Sequence, residues 1–276
     1  MPLKKIINAD DFGISPGVNQ AIAKGFKEGI LNSTSIMITL KYAGQAVAMM
    51  KDLTGLNVGL HLNLTNEYPA ADPKDIPLLV DENGKFKHGF VNLFLLSFFK
   101  PRAMRRQVEI EARAQLEKAQ KAGIKLSHID SHRHVHMIPL IFKIVKRLKE
   151  ENGIERIRVV NENIFNTMRH NKDKSFLFDG GLVKYLVLKT LAIWNNYKTD
   201  TYFYTILYTC KISSARFNKL KISPKFAAIE VGIHPGMPDI DSKYLEDVFD
   251  DNILSPYRTV ELETVLNKKI LDEMSN

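Results

Sequence analysis

Apolar positions along the chain alternate between short runs and longer stretches that recur every three or four residues, the signature of strands interleaved with helices. Residues 3–9 predict a strand, followed by a helix over 16–28 that Pro16 can open and Ser15 can cap. Strands follow at 35–39 and 58–64, with a helix over 42–51 between them. Beyond residue 69 the rhythm breaks. Pro69, Pro73 and Pro77 introduce an excursion lasting to about residue 100, a candidate lid or rim loop. Alternation returns with an amphipathic helix over 102–122 that stops at Gly123, then a strand over 126–131, a helix over 139–151 and a strand over 157–161. A helix over 181–194, strands over 201–206 and 226–233 and a closing helix over 260–274 complete the pattern. About seven parallel strands alternating with helices, with no linker, predict a single α/β domain over residues 1–276. The expected architecture is a TIM-like (β/α) barrel or a distorted version of it, with a doubly wound open sheet as the alternative.

Composition narrows the class without naming a function. With 276 residues, 45% hydrophobic and 25% charged, the chain is ordinary globular protein, which excludes disordered and low-complexity architectures. The apolar run 90–99 is far short of the ~20 residues that cross a bilayer, and 182–194 is interrupted by Lys184 and Lys189. Both predict buried helix or loop and no membrane span, and 90–99 leaves a homodimer contact open. No signal-peptide pattern opens the chain, and Cys210 is the lone cysteine, so a cytoplasmic location is expected and Cys210 is read as inert. The net charge of +8 is uneven: from Asp239 onward there are ten acidic and four basic residues. The basic groups at 100–106 and 143–149 fall at helical spacing beside apolar positions, the mark of solvated helix faces, so nucleic-acid binding is not expected.

Candidate chemistry gathers at predicted strand ends, which share one face in a parallel barrel. Asp10 and Asp11 follow the first strand, His61 ends the third, and Asp130, His132, His134 and His136 follow the fourth; His234 ends a later strand, before Pro235-Gly236. Neighbouring side chains on a strand point to opposite faces, so Asp10 and Asp11 share a site only if the backbone turns, as Gly13 nearby allows. One carboxylate could then bind a cation and the other serve as a base. Four of the chain's eight histidines lie within residues 128–136, too many on one extended face for one ion. One or two are therefore expected as ligands and the rest as support or pocket lining. No glycine-rich phosphate loop or nucleophile elbow is present.

The segments Asn8-Ala9-Asp10-Asp11-Phe12-Gly13, Gly59-Leu60-His61-Leu62-Asn63-Leu64-Thr65, His128-Ile129-Asp130-Ser131-His132 and His234-Pro235-Gly236 resemble the YdjC family of carbohydrate deacetylases, as does Arg258-Thr259-Val260-Glu261. That family includes chitooligosaccharide deacetylases and the HpnK-like proteins. The resemblance implies a distorted (β/α) barrel and removal of an acetyl group from an N-acetylated sugar or oligosaccharide. It also implies one divalent metal on Asp11, His61 and His132, with Asp10 as general base and His234 as general acid. Asp130 would orient a ligand histidine, and His134, His136 and Arg258 would support or line the pocket. Resemblance favours Mg2+, whereas one carboxylate with two imidazoles favours Zn2+ on ligand chemistry. The competing readings are a metal-dependent phosphoesterase or glycosidase on the same barrel, and a non-catalytic carbohydrate-binding relative.

Overall fold

The computed structural model describes residues 3–217, 220–247 and 249–275; residues 1, 2, 218, 219, 248 and 276 of the expected domain lie outside the described residues. Among the described residues there are nine short strands: β1 (Lys4–Phe12), β2 (Ser33–Ile36), β3 (Asn57–Leu62), β4 (Leu126–Ser131), β5 (Arg156–Ile157), β6 (Thr201–Tyr204), β7 (Leu220–Lys221), β8 (Ala228–Ile233) and β9 (Met274–Ser275). Seven of them form one parallel sheet in the order β5-β4-β3-β2-β1-β8-β6, while β7 and β9 pair separately. The order decides between the two expected folds. Read as a circle it runs 1-2-3-4-5-6-8 without reversal, whereas a doubly wound sheet reverses direction part-way. The sheet is a curled half-barrel.

Its two edges meet without a ladder between them. Residues 159–161 were expected to extend β5, but the strand ends at Ile157 and side chains take over. Asn161 accepts from the Phe203 amide at 2.8 Å and donates to the Thr201 carbonyl at 2.8 Å, serving β6 as a neighbouring strand's backbone would. Buried Glu162 accepts from the amides of Ile206 and Leu207 at 2.7 and 3.3 Å. These contacts bridge the seam and account for the barrel's distortion.

The helices are α1 (Pro16–Glu28), α2 (Ala43–Met49), α3 (Phe90–Phe99), α4 (Pro101–Lys121), α5 (Pro139–Glu151), α6 (Ile164–His170), α7 (Gly181–Asn195), α8 (Pro238–Asp241) and α9 (Tyr257–Leu266). In α1, Ser15 caps the Val18 amide, and Asp241 accepts from the Gly17 amide at 2.7 Å. Met104, Val108, Ala112, Leu116 and Ala119 form the buried stripe of α4, at the three-to-four-residue spacing its sequence shows. Among the described residues no helix is long and apolar enough to cross a membrane.

Three expectations need correction. The apolar runs at 90–99 and 182–194 are helices, but neither is buried throughout: Val91, Phe99, Val183, Ile193 and Trp194 are exposed. The closing helix ends at Leu266, where Asn267 caps a further turn, and Met274–Ser275 pairs with β7. The α6 segment was not foreseen, because it presents only seven residues and a mixed pattern.

Burial pushes the Glu162 carboxyl up to about 7, despite the hydrogen bonds it accepts from Thr167, Ile206 and Leu207. The unfolded chain ionises this group near 4.5, so the folded state loses stability as pH rises from there to 7 and levels off above it. The loss amounts to about 3 kcal/mol. Glu162→Gln, which cannot ionise, should lack this decline in urea unfolding compared at pH 4.5 and 7.5. An identical pH dependence in both proteins would count against the assignment.

Candidate active site

The adjacent carboxylates are brought together by a bulge. Ala9 and Phe12 of β1 pair with Thr34 and Ile36 of β2, so three steps on one strand match two on the other. Asp11 takes up the extra residue at φ +70°, in the left-handed region that aspartate tolerates better than most side chains. The turn therefore lies at Asp11 itself rather than only at Gly13, and both carboxylates are buried in one cluster.

His61 and Asp130 are register partners across β3 and β4. The Nδ1 of His61 lies 2.8 Å from Asp130 Oδ1, which directs its Nε2 toward Asp11 Oδ1 at 3.4 Å. Beyond β4 the backbone turns sharply through Arg133 and His134, both left-handed at φ +54° and +55°. The turn leaves His132 with its Nδ1 3.1 Å from the same Asp11 oxygen. Arg258 occupies the other oxygen of Asp11, with Nη2 at 2.9 Å. A Cβ on Gly236 would stand 2.8 Å from the Arg258 side chain, which is why that turn takes glycine.

Asp11, His61 and His132 thus offer three donor atoms within 4.8 Å of one another. Burial opposes a charged His61, but Asp130 and Asp11 outweigh it and raise its pKa to about 10. A field that favours a proton between these groups also favours a cation there. The nitrogen that His132 turns to Asp11 is Nδ1; its buried Nε2 has no hydrogen-bond partner and stands 3.8 Å from Asp250 Oδ2. The cluster Asp10, His61 and Asp130 is equally compact, but Arg158 already binds both of its carboxylates. The residues present therefore fit one divalent cation on Asp11, His61 and His132, with one carboxylate oxygen and two imidazoles as protein ligands.

Asp10 is held differently. Its two oxygens accept from Arg158 Nη1 and Nη2 at 2.6 and 2.7 Å, and Asn8 adds a bond at 2.8 Å. Burial would raise its pKa, yet Arg158 outweighs burial and keeps it lowered. His234 approaches from the end of β8, its Nε2 3.7 Å from Asp10 Oδ2. Burial would lower the pKa of His234, but Cys210, Glu261 and Asp10 raise it well above the ordinary imidazole value. A carboxylate held ionised thus faces an imidazole held protonated.

The family model for YdjC-like proteins matches residues 4–275. The chain belongs to the YdjC-like family. A carbohydrate deacetylase of Clostridium beijerinckii is 33% identical over 273 residues, covering 98% of this chain and 94% of that one. A carbohydrate deacetylase of Brevibacillus brevis is 42% identical over 149 residues, so the match spans about half of either chain, 54% and 56%. A crystal structure from Enterococcus faecalis V583, of a protein provisionally assigned to cellobiose-phosphate cleavage, shares the fold. Its TM-score is 0.68 at 24% identity, over 99% of this chain and 94% of that one.

Within this YdjC-like barrel the histidine run divides. His132 joins the cation cluster. His136 is fully buried, its Nδ1 2.6 Å from Ser131 Oγ and its Nε2 2.9 Å from the Arg158 carbonyl; burial lowers its pKa to about 4. It supports the backbone at Arg158. His128 packs where a Cβ on Gly59 would stand, 2.4 Å from the ring. His134 is buried against Phe203, and burial lowers its pKa.

Sequence reasoning missed Arg158, Glu230, Glu261 and Cys210. Arg158 is fully buried and also holds Asp130 at 2.7 Å and Glu230 at 2.7 Å, with its guanidinium 4.9 Å from the Phe203 ring. The signal for both Arg158 and Glu230 was a lone charge inside an apolar strand. Glu261 stood in the quoted closing segment; it accepts from the His234 backbone amide. Cys210 lay too far along the chain from any histidine to suggest a contact.

Removing the Arg158 guanidinium would take the shared cation from three buried carboxylates, leaving Asp130 only His61 and Glu230 only Arg156. Arg158→Met should lower unfolding free energy by roughly 3–5 kcal/mol in denaturant titration; a loss within error of zero would refute this role. His132→Ala and Asp11→Asn should each lose stoichiometric divalent metal by elemental analysis while keeping the far-ultraviolet spectrum. Full occupancy in either variant would remove that residue from the ligand set.

Proposed function

We propose that this protein is a metal-dependent carbohydrate deacetylase that hydrolyses the acetamide of an N-acetylated sugar. The observation that carries this reading is the pairing described above: a His-His-Asp donor set beside a second carboxylate that stands 3.7 Å from the His234 imidazole. The names of the relatives in Clostridium and Brevibacillus support the same reading.

Amide hydrolysis needs a proton acceptor for water and a proton donor for the departing amine, because an amine anion is a very poor leaving group. Two titratable groups with pKa values pushed apart supply that pair. Asp10, kept ionised and aimed by Arg158, accepts the proton of the attacking water as the C–O bond forms. His234, kept protonated by its acidic neighbours, gives its proton to nitrogen as the C–N bond breaks. Asp130 fixes the ring orientation of His61, and Arg258 fixes Asp11. When bound on Asp11, His61 and His132, a divalent ion supplies Lewis acidity toward the acetyl carbonyl and the water. Ligand chemistry favours Zn2+ or another transition ion over the Mg2+ that resemblance suggests.

Acetate release from a panel of N-acetylated sugars, with the protein stripped of metal and then reconstituted with Zn2+ or Mg2+, tests the activity; no release from any sugar under any metal would overturn it. Asp10→Asn should keep metal yet lose turnover, and loss of metal in that variant would make Asp10 a ligand. His234→Ala should slow amide hydrolysis by roughly 10²–10⁴-fold. On an acetyl ester with a leaving group that needs no proton, the same variant should lose much less, and equal losses on both substrates would end the general-acid role.

A further inference from the structure

Two cavities adjoin the catalytic cluster, and Lys184 of α7 lines both. One, the more polar of the two, is a cleft of about 460 Å³ whose lining mixes Thr209, Cys210, Asn252 and Ser255 with apolar surface such as Ile206 and Leu207. It belongs to the site: Cys210 contacts His234, and Arg258, which holds Asp11, donates from Nε to the Asn252 carbonyl at 2.7 Å. The other is a groove of about 680 Å³ between α3 and α7, walled by Phe90, Val91, Phe94, Val187, Leu191 and Trp194. Arg133, next in sequence to His132, marks where the groove meets the catalytic turn, and Phe98 leans on Trp194 at 5.8 Å on its other side. Along α7 the distance from Lys184 to Trp194 is about 15 Å. The walls are open to solvent: Val91, Val187 and Trp194 are 66%, 44% and 56% exposed. Contiguous apolar surface of this kind marks a binding site.

Charge identifies the occupant. Arg133 is already paired with Asp250 at 3.1 Å, whereas the ammonium of half-buried Lys184, which Cys210 and Asp10 attract from a distance, makes no hydrogen bond or ion pair of its own among the described residues. An unpaired ammonium at the junction of a polar cleft and an apolar groove suits an anionic group joining a sugar to a hydrocarbon. A second copy of the chain fits less well. Neither α3 nor α7 carries an acidic residue, so two copies docked groove to groove would set Lys184 and Lys189 against like charge. We propose that the substrate is an N-acetylated sugar carried through a phosphate linkage on a hydrocarbon chain, with the sugar in the polar cleft, the phosphate against Lys184 and the chain in the groove between α3 and α7. This rests on the deacetylase reading above and names the substrate class of the same site.

The test uses the metal-loaded full chain and two series on N-acetylglucosamine, below their micelle concentrations: methyl to dodecyl glycosides, and the matching alkyl phosphodiesters at C1. KM for acetate release should fall by up to about fourfold per methylene until the groove is filled. The phosphodiesters should show a KM about tenfold below glycosides of equal length. Val187→Glu should flatten the length dependence, and Lys184→Met should erase the phosphodiester advantage at every length; the far-ultraviolet spectrum and stoichiometric metal report whether each variant still folds. Turnover of the methyl glycoside with a KM indifferent to chain length overturns the groove assignment and leaves the deacetylase reading standing. Equal KM for glycosides and phosphodiesters overturns the anion's place. A dimer by light scattering that Val187→Glu dissociates would give the groove to a second copy and overturn the proposal. No turnover of any sugar, the methyl glycoside and chitooligosaccharides included, overturns the deacetylase reading itself.

Discussion

The site depends on one guanidinium. Arg158 enters the barrel from the end of the shortest strand of the sheet and meets carboxylates delivered by three others: Asp10 from β1, Asp130 from β4 and Glu230 from β8. Three buried negative charges at such separations would otherwise repel one another or take up protons. A planar fork with five donors can satisfy all three at once, and a lysine ammonium cannot. From Arg158 the order passes outward. Asp130, fixed by it, turns His61, and His61 presents its second nitrogen to Asp11. The electrostatics at the centre of the barrel thereby become the geometry at its mouth.

The neighbouring aspartates illustrate how one residue of backbone separates two chemical tasks. Without the bulge at Asp11 the pleat would send one carboxylate into the barrel and the other away from it. With it, each faces a different arginine: Asp10 is gripped by both oxygens, while Asp11 gives one oxygen to Arg258 and keeps one for the two histidines. The left-handed residues that permit this, Asp11, Arg133 and His134, each carry a conformational cost of order 1–3 kcal/mol. The surrounding sheet and its ion pairs hold them in place, and they lie next to the residues with the most specific contacts.

Much of this was legible in the chain before any coordinates. The strands at 126–131 and 226–233 and the helices at 16–28, 102–122 and 139–151 declare themselves through periodicity and punctuation, and chemistry placed at strand ends converges because parallel barrels have one catalytic face. What periodicity cannot express is contact across the barrel. Arg158 sits among Ile157, Val159 and Val160, where a local reading sees only a strand, and its three partners lie 28 to 148 positions away. The histidine run shows the same limit: four on one extended face are too many for one ion, but only the left-handed turn at 133–134 and the carbonyl of Arg158 decide which one faces Asp11. Burial of 90–99 and 182–194 was misjudged because an apolar helix flanking a groove has the same composition as one in a core.

The seam between β5 and β6 has an evolutionary corollary. Because an asparagine and a glutamate close it in place of a continuous ladder, a handful of side-chain bonds set its register, and nothing there dictates the length of chain that joins the two edges. That joining chain holds α6 and α7, and α7 forms one wall of the apolar groove. Insertions and deletions between residues 163 and 200 can therefore be absorbed at the weakest joint of the barrel, remote from the paired strands β1 to β4 that hold the aspartates and His61. Such a barrel can diversify what it accepts by rewriting one segment while its reaction centre descends unchanged.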